Sequence, residues 1–548
     1  MATFSEKYLD DITGRIKLFK FLKSKTGFKP DSFIITGAIS GLANILILVS
    51  VSSAIYNLYK GASNAKLFLL FILLLVLSVC TQRKLYYHWI QKLESSVDKA
   101  RSELCAKLVS ADTFTLEKYN KGEIYNRITQ ELNNISQFGV YIIKGVQAIF
   151  TVIFASIYIA KIFFPAIFLI GGLIAAGASI YLLIVNKIYA RYAELNKWEV
   201  KYFNWLNDIL YGRKEIKFNN RIRENLLKDA GYISDEMKKC KKDIGSSYNK
   251  SIVLTNGFFY LLFGAVVFLM PILFNIKIET LVILSTVTIY MSEPVSNIVS
   301  VLPLFQKASL SAEFITGLET TLDSAAEPTG NNSSKLNVLN KIEVKDLKFR
   351  YTVNDSEFML GPLNLEINKG EIVFLTGGNG SGKTTLMKLL ASFYMPEEGV
   401  ILINGLALSD SVQTYRELTS GIFSDFHLFE KVYGMSEGSD ERINYNLKLL
   451  NIHNKVKLNG NVFSTLNLST GQKKRLAMAA ALAEDKQLYF FDEWAAEQDP
   501  EYHEYFYCNL LPELKKNGKT IIAVSHDERY FTSADKIVKM EYGKIIPA

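Results

Sequence analysis

The feature that most constrains this chain is a set of long apolar runs, all of which lie before about residue 305. A helix needs about 20 apolar residues to cross the core of a bilayer. Six runs meet this requirement, which favours membrane spans over buried helices of a soluble protein. They are Phe33–Tyr56, Leu67 to about Tyr87, the two parts of Val140–Val185 on either side of Lys161–Pro165, Ile252–Phe274, and Leu281 to about Leu304.

The segments that join these runs differ in length and in charge. Short segments join the first run to the second, the third to the fourth and the fifth to the sixth, whereas the other two links are long and polar. The link between the fourth and fifth runs is strongly basic, and so is the N-terminal segment. The positive-inside rule therefore predicts that both termini and both long links are cytoplasmic. This bias accounts for the net charge of +8, so we expect no nucleic-acid partner.

A change in composition divides the chain after the last apolar run. Residues Thr320–Asn340 are rich in Ser, Asn, Gly and Pro, which is typical of a linker. Beyond them, short β-branched runs (KIEVKDLKF, EIVFLTG, GVILING, LYFFDE, TIIAVS and KIVKME) alternate with helical patterns, which predicts an α/β domain with a largely parallel sheet. The predicted boundaries are a cytoplasmic N-terminal segment at 1–30, a transmembrane domain at 31–319, a linker at 320–340 and the α/β domain at 341–548.

The N-terminus and the cysteines indicate no additional kind of segment or site. The N-terminus has no apolar core followed by a small-residue cleavage site, so we predict no signal peptide. The four cysteines are not closely spaced, which argues against a zinc site or a disulfide framework.

The α/β domain carries a glycine-rich motif, GGNGSGKTT, between a predicted strand and a predicted helix. It fits the phosphate-binding pattern G-x-x-x-x-G-K-[ST], in which backbone N–H groups surround phosphate oxygens at a helix N-terminus. We expect Lys383 to neutralise the β- and γ-phosphates of ATP, and the Thr384 hydroxyl to ligate Mg²⁺. The predicted nucleotide contacts of the motif are Gly377, Asn379, Gly380, Ser381, Gly382, Lys383, Thr384 and Thr385.

Two adjacent carboxylates end the apolar strand in LYFFDEWAAEQDP. Ligands of open α/β sheets bind at the carboxyl ends of the strands, where these acids would lie. We predict that Asp492 holds Mg²⁺ and that Glu493 polarises the attacking water as a general base. The sequence offers no physical reason for Trp494 beside them.

The segment LSTGQKKRLAMAAALA resembles the signature of the ATP-binding cassette (ABC) transporters, LSGGQ, with Thr470 in place of the usual first Gly. The resemblance implies that Ser469, Gly471 and Gln472 cap the γ-phosphate of a nucleotide held by the opposite subunit. It further implies that Tyr351 stacks on adenine and that His526 is the switch histidine near the γ-phosphate. Asp499 matches the aspartate that crosses the dimer interface in this family.

One position departs from the family pattern. The loop between the two subdomains usually carries a Gln that touches Mg²⁺ and water, and here GIFSDFHLFE places Ser424 there. The adjacent Asp425 is the predicted replacement ligand of the metal.

The resemblance also implies an architecture and a function. Six spans before one nucleotide-binding domain is the half-transporter arrangement of exporters, so the predicted fold class is a membrane α-helical six-span exporter domain plus a C-terminal α/β P-loop nucleotide-binding domain. TGGNGSGKTTLMKLL, FSDFHLFE, LSTGQKKRLA, FFDEWAAEQDP and YFTSADKI are similar to motifs of the bacterial exporters of cyclic peptides and peptide siderophores. In that subfamily Trp follows the catalytic Glu and Ser replaces the loop Gln.

The expected activity is therefore ATP-driven export of a peptide-like substrate (a cyclic or modified peptide, a microcin or a siderophore precursor) by alternating access. The expected partners are a second copy of the chain, as a homodimer, and the lipid bilayer of the bacterial inner (cytoplasmic) membrane. Because the segment before the first span is short, we expect no leader-cleaving protease domain there. Within the spans, Glu293 and Lys144 are ionisable residues of the kind that often bind substrate. Lys144 also fits a side chain that reaches the membrane surface, and Glu293 fits a helix end equally well.

Three alternatives remain open at this point. A lipid exporter or a multidrug exporter would have the same architecture, because the substrate site lies in the membrane domain and not in the ATPase. A protein whose ATPase gates a channel would also share these motifs. A soluble cassette ATPase that acts on DNA or ribosomes is excluded by the six spans.

Overall fold

The computed structural model describes residues 18, 20–22, 24–25, 30–59, 61, 63–119, 121–327, 336–353, 356–434 and 438–547. Most of the predicted N-terminal segment 1–30 and residues 328–335 of the predicted linker lie outside these ranges. The contacts divide the chain into two compact units. One comprises Met1–Ala111 and Glu117–Ala326, and the other comprises Asp112–Leu116 and Glu327–Ala548.

The first unit is helical. Its helices are α1 (Pro30–Tyr59), α2 (Ala65–Ser110), α3 (Thr113–Lys118, which begins within the second unit), α4 (Lys121–Asn126), α5 (Leu132–Ile162), α6 (Pro165–Tyr211), α7 (Arg213–Phe218), α8 (Asn220–Gly264), α9 (Met270–Phe274) and α10 (Ile278–Ser324). Single π-helical turns connect α4 to α5, at Arg127–Glu131, and α8 to α9, at Ala265–Leu269. The long helices extend well beyond the apolar runs and into the polar links.

Five helical segments in the described part of the chain are long and apolar enough to cross a membrane. They are Ser32–Leu58, Ala65–Ser110, Lys121–Ile162, Asn220–Phe274 and Ile278–Ser324. The fourth predicted run lies in α6, where several side chains fall outside the described part. In the most apolar stretch of α2 only 11% of the residues are buried within the chain, which is consistent with a surface covered by lipid.

Local sequence explains where these helices begin and how closely they pack. The break between α5 and α6 falls at Phe163–Phe164, and Pro165 opens α6, where its missing N–H costs nothing. Between α2 and α5, the Trp89 indole Nε1 donates a hydrogen bond of 2.9 Å to the carbonyl of Gly139. A Cβ at Gly139 would lie 2.0 Å from Leu93 Cδ2, so a larger residue there would displace this buried side chain.

The second unit contains two larger sheets and a two-stranded hairpin. Its strands are β1 (Lys341–Val353), β2 (Ser356–Asn368), β3 (Ile372–Gly377), β4 (Glu398–Ile403), β5 (Leu406–Ala407), β6 (Thr419–Ile422), β7 (Leu458–Asn459), β8 (Val462–Phe463), β9 (Leu488–Asp492), β10 (Thr520–Val524), β11 (Lys536–Glu541) and β12 (Lys544–Ile546). The main sheet has the order β12-β11-β3-β10-β9-β6 and is parallel except for β12, and the other sheet has the order β2-β1-β4-β5. The helices that pack with them are α11 (Lys383–Leu390), α12 (Val412–Glu417), α13 (Ser439–Leu449), α14 (Thr470–Ala483), α15 (Pro500–Tyr505) and α16 (Leu511–Lys516).

The second sheet corrects one prediction. The runs KIEVKDLKF and GVILING form β1 and β4, which pair antiparallel and lie outside the mainly parallel sheet. The physical reason is visible in their burial. Ile342 and Val344 are buried while Glu343 between them is not, which is the alternation of a sheet with one solvated face. By contrast, β9 and β10 are buried at every position, as expected for central parallel strands.

A short segment of the first long link belongs to the second unit. Within Asp112–Leu116, the ring of Phe114 lies 5.4 Å from that of Phe349 and 5.1 Å from that of Tyr394. These aromatic contacts pack the segment against β1 and Tyr394 within the second unit.

Candidate functional site

The phosphate-binding loop is built by two glycines that no other residue can replace. Gly377 ends β3 with φ 138°, and a Cβ there would lie 2.1 Å from the carbonyl oxygen of Met540. Gly382 precedes α11 with φ 101°, and a Cβ there would lie 2.7 Å from Leu360 Cδ1. Positive φ favours glycine, and both positions also lack the space for a side chain. The loop therefore turns tightly from the end of the strand into the helix.

Lys383 is the first residue of α11 and lies folded back on this loop. Its Nζ donates hydrogen bonds to the carbonyls of Gly377, at 3.0 Å, and Gly378, at 2.9 Å. Burial lowers the pKa of the ammonium, and the nearby carboxylates of Glu493 and Asp492 oppose this effect. A buried ammonium held only by carbonyl oxygens is well placed to exchange them for phosphate oxygens.

The other predicted loop residues surround the same turn. Asn379 and Gly380 are exposed, Thr385 is buried in α11, and the Ser381 hydroxyl is buried. Within the described residues that hydroxyl has no hydrogen-bond partner, so the loop contains one buried O–H donor without an acceptor. Buried polar groups are usually paired, and a phosphate oxygen would supply the missing partner.

Asp492 ends β9 beside the first turn of α11. Its carboxylate oxygens lie 3.4 and 3.3 Å from the Thr384 hydroxyl, and Ser424 N donates to it at 3.4 Å. Burial raises the pKa of this carboxyl, and the hydrogen bonds from Ser424 and Thr384 oppose the rise. Among the described residues no Lys, Arg or His nitrogen lies within 4 Å of it. A buried carboxylate beside a hydroxyl, without a cationic partner, is a donor set that suits Mg²⁺. Asp425, by contrast, is exposed, and in the described part no hydrogen bond joins it to Thr384 or Asp492.

Glu493 follows directly and has a strained backbone. Its φ of 48° and ψ of 37° place a non-glycine residue in the left-handed region. Its Oε1 lies 3.0 Å from Nε2 of His526, which follows β10. Its carbonyl accepts a hydrogen bond of 2.9 Å from Nζ of Lys474 in α14. Both ends of this residue are thus held by side chains from neighbouring elements.

Trp494 explains how Lys474 reaches that carbonyl. The indole is 1% exposed, and its Nε1 donates a hydrogen bond of 3.0 Å to the carbonyl of Lys474. Its ring packs 4.8 Å from that of Phe506. The pair of reciprocal bonds ties the end of β9 to α14. Sequence reasoning missed Lys474, although its spacing of four residues from the buried Met478 places it on the inner face of the helix.

The signature segment opens α14 with a capping box. The Ser469 hydroxyl accepts from Gln472 N at 3.4 Å, and Gln472 Oε1 accepts from Ser469 N at 3.2 Å. Gly471 packs so closely that a Cβ would lie 2.8 Å from the carbonyl of Glu497. Ser469 and Gln472 therefore hold the turn that presents the segment.

The two remaining predicted residues are Asp499 and Tyr351. Asp499 caps α15, where its Oδ1 accepts from Tyr502 N at 3.0 Å, and it pairs with Arg475 of α14 at 2.8 Å. Tyr351 lies in β1, and its ring is 5.3 Å from that of Phe358. A Cβ at Gly382 would lie 3.1 Å from Phe358 Cζ, so one aromatic side chain separates Tyr351 from the phosphate-binding loop.

The phosphate-binding loop, the buried carboxylate, the strand-end glutamate and the capped signature helix give the second unit the fold of an ABC nucleotide-binding domain. It is joined to a membrane domain of long apolar helices, so the chain is a multi-pass membrane protein with the fold of an ABC exporter. Residues 360–496 match the family model described as "ABC transporter". The chain is similar in fold to a bacterial Atm1-family ABC exporter with ATP bound, with a TM-score of 0.75, 17% identity and coverage of 94% of this chain and 93% of that one.

Curated relatives agree with this class. The chain is 28% identical to the ATP-binding protein SyrD of Pseudomonas syringae pv. syringae, over 94% of this chain and 93% of SyrD. It is 32% identical to the leukotoxin translocation ATP-binding protein LktB of Mannheimia glucosida, and 30% identical to the alpha-hemolysin translocation ATP-binding protein HlyB of Escherichia coli. Each of these two matches covers 46% of this chain and 37% of the relative.

Proposed function

We propose that this chain is an ATP-hydrolysing efflux transporter that exports a peptide-like substrate by alternating access, working as a homodimer. The observation that carries the proposal is the carboxylate of Glu493, held by His526 beside Asp492 and the phosphate-binding loop. A pump needs such a water-activating group, and the chain joins it to a membrane domain. Two relatives are named for the translocation of toxins, which supports export.

In the proposed reaction Glu493 accepts a proton from the water that attacks the γ-phosphate, and His526 orients the carboxylate. Lys383 exchanges its two carbonyl partners for phosphate oxygens and offsets their charge. Thr384 and Asp492 would hold Mg²⁺, which supplies charge neutralisation at the β- and γ-phosphates when bound. Asp425 remains a predicted further ligand, and Tyr351 a predicted adenine contact.

A second copy would complete each site. Ser469, Gly471 and Gln472 of one subunit would meet the nucleotide of the other, and Asp499 would lie at the same interface. The single set of motifs in the chain gives two equivalent sites in a homodimer. Closure of this interface would be carried to the membrane helices by the long links. The packing of Phe114 with Phe349 and Tyr394 supports such a connection.

The proposed orientation places both termini and both long links in the cytoplasm, across the bacterial inner membrane. The basic residues of the links support it. The proposed domain boundaries are 31–319 and 341–548 around a linker at 320–340. The last helix of the membrane unit ends at Ser324, inside the proposed linker, and β1 begins at Lys341.

The test is transport into inverted membrane vesicles with three probes: a head-to-tail cyclic hexapeptide that carries one lysine and one glutamate side chain, a fluorescent phosphatidylcholine and ethidium. We expect ATP-dependent accumulation of the cyclic peptide only, and its loss in Glu493→Gln. Glu541→Gln, which alters an exposed acid at the end of β11, is the matched control and should transport normally. Transport that survives Glu493→Gln contradicts the pump, and preferential transport of the lipid or the dye contradicts the peptide substrate.

A further inference from the structure

The membrane unit contains a polar cavity that no sequence motif indicates. It has a volume of about 380 Å³ and lies among the polar halves of α5, α6, α8 and α10, beyond the predicted spans and on the side of the long links. Cavities of about 300–1,000 Å³ bind drug-sized molecules. The charged residues that line it are Glu131, Glu199, Lys241 and Lys307.

Glu131 is the most unusual of these side chains because it is only 3% exposed. Its carboxylate accepts hydrogen bonds from Asn134 Nδ2, at 3.2 Å, and from the side chains of Asn196 and Ser311. All three donors are neutral, and in the described part of the chain no Lys, Arg or His nitrogen lies within 4 Å. Buried carboxylates are normally paired with a cation. Glu131 is therefore oriented by hydrogen bonds from neutral groups, and in the described residues no cationic side chain is in direct contact with it.

The backbone at this position is also irregular. Glu131 is the last residue of the π-helical turn Arg127–Glu131. Such single turns inside α-helices are frequently found at functional sites. Here the turn ends at the residue whose carboxylate meets side chains of α6 and α10.

The other three charges are near one another without forming ion pairs. Glu199 is half-buried and interacts electrostatically with Lys241, Lys307 and Glu131. Lys307 lies with its Nζ 5.9 Å from the ring centroid of Tyr192, which also lines the cavity. Within the described residues none of the four makes a salt bridge shorter than 4 Å. Two carboxylates and two ammonium groups thus share one cavity as separate charges.

We propose that this mixed-charge cavity binds a zwitterionic peptide, with its ammonium group at Glu131 and Glu199 and its carboxylate at Lys241 and Lys307. The assignment rests on the proposed function, because it places the peptide-like substrate in this cavity. A ligand of a single sign would leave two like charges unmatched. An apolar ligand would remove water from four charges and offer no partner to them, which is costly.

The experiment measures ATPase stimulation of the full chain in lipid nanodiscs. The probes are free trialanine, trialanine amide (C-terminus neutralised) and N-acetyl-trialanine amide (both charges removed). We expect free trialanine to stimulate, and the doubly capped peptide to require a concentration at least tenfold higher. Glu131→Gln should raise the half-maximal concentration of free trialanine about tenfold. Glu236→Gln, on α8 but outside the cavity, is the matched control and should respond as the wild type.

A second variant guards against misfolding of the buried site. Lys241 is exposed, so Lys241→Met should leave the melting temperature unchanged. If Lys241 binds the peptide carboxylate, this variant should no longer distinguish trialanine from trialanine amide. Equal responses of the wild type to free and capped peptides overturn the proposal, as does an unchanged preference in both Glu131→Gln and Lys241→Met.

The two proposals fail in different ways. A chain that exports cyclic peptide through Glu493 but ignores the charges of trialanine refutes only the cavity. Loss of Glu493-dependent transport refutes the exporter itself.

Discussion

At the scale of single residues, the most informative contact is the hydrogen bond from Lys474 to the strained Glu493 backbone. Lys474→Met removes it, and we expect kcat for ATP hydrolysis to fall about tenfold, equivalent to about 1.4 kcal/mol. The KM for ATP should change less than twofold, because Lys474 holds the general base and does not face the nucleotide. Steady-state ATPase kinetics of the full chain measure both.

Two companion variants make this result specific. Lys473→Met alters the exposed neighbour on the same helix and should leave both constants unchanged. Lys474→Arg keeps a donor and should recover part of kcat. Equal losses in the Met variants at 473 and 474 would show that the hydrogen bond plays no part.

Asp492 makes the metal dependence sensitive to pH. A carboxyl must be ionised to ligate Mg²⁺, and burial raises the pKa of this one. As the pH falls towards the raised pKa, a larger fraction of the Asp492 carboxyl is protonated. Protons then compete with Mg²⁺ for this carboxylate. We expect the Mg²⁺ concentration for half-maximal ATPase to rise as the pH is lowered from 8 to 5.5, at saturating ATP.

The control for this prediction is Ser424→Ala. The Ser424 side chain donates to the Asp492 carboxylate and opposes the rise in pKa. Removing it should move the same loss of Mg²⁺ affinity to higher pH. A Mg²⁺ requirement that is flat over this pH range in both proteins contradicts the role of Asp492.

At the scale of elements, substitutions of Ser469 can separate its cap of α14 from its predicted contact with the partner's nucleotide. Ser469→Asp keeps a good N-cap, so the melting temperature should hold. Its carboxylate would repel the γ-phosphate of the partner's nucleotide, and ATPase activity should fall more than tenfold. Ser469→Ala should instead cost about 1 kcal/mol of stability. An active Ser469→Asp protein would show that this helix does not face a nucleotide.

Elements also show what the sequence predicts and what it does not. The apolar runs and the phosphate-binding motif are local patterns, and each corresponds to an element of the structure. The antiparallel sheet of β1 and β4 was not predicted, because strand partners far apart in sequence leave only a weak alternation. The sequence also did not predict the charged residues of the cavity, because they lie on different helices and far apart in the chain. These residues are Glu131, Glu199, Lys241 and Lys307. The sequence candidates Lys144 and Glu293 are both exposed and lie outside the cavity.

At the scale of the whole molecule, shared sites predict complementation between inactive chains. In a mixed dimer of Ser469→Asp and Glu493→Gln subunits, one site receives an intact Glu493 from the first chain and an intact Ser469 from the second. Random pairing of equal amounts makes half of the dimers mixed, so about a quarter of the wild-type ATPase activity should return. The measurement is ATPase activity of the whole co-expressed mixture, without selection for mixed dimers, against each variant alone. Activity no higher than either parent would show that each chain hydrolyses ATP by itself or that both sites must act together.

The position of Trp494 also has an optical consequence. The chain has four tryptophans, and the other three, Trp89, Trp198 and Trp205, all belong to the membrane unit. The emission lost on Trp494→Phe therefore comes from a single buried indole, at the joint between the catalytic strand and the signature helix. The difference between the fluorescence of the wild type and that of Trp494→Phe therefore reports on the ATPase domain alone. A change in that signal on adding nucleotide would time the motion of this joint without any attached dye.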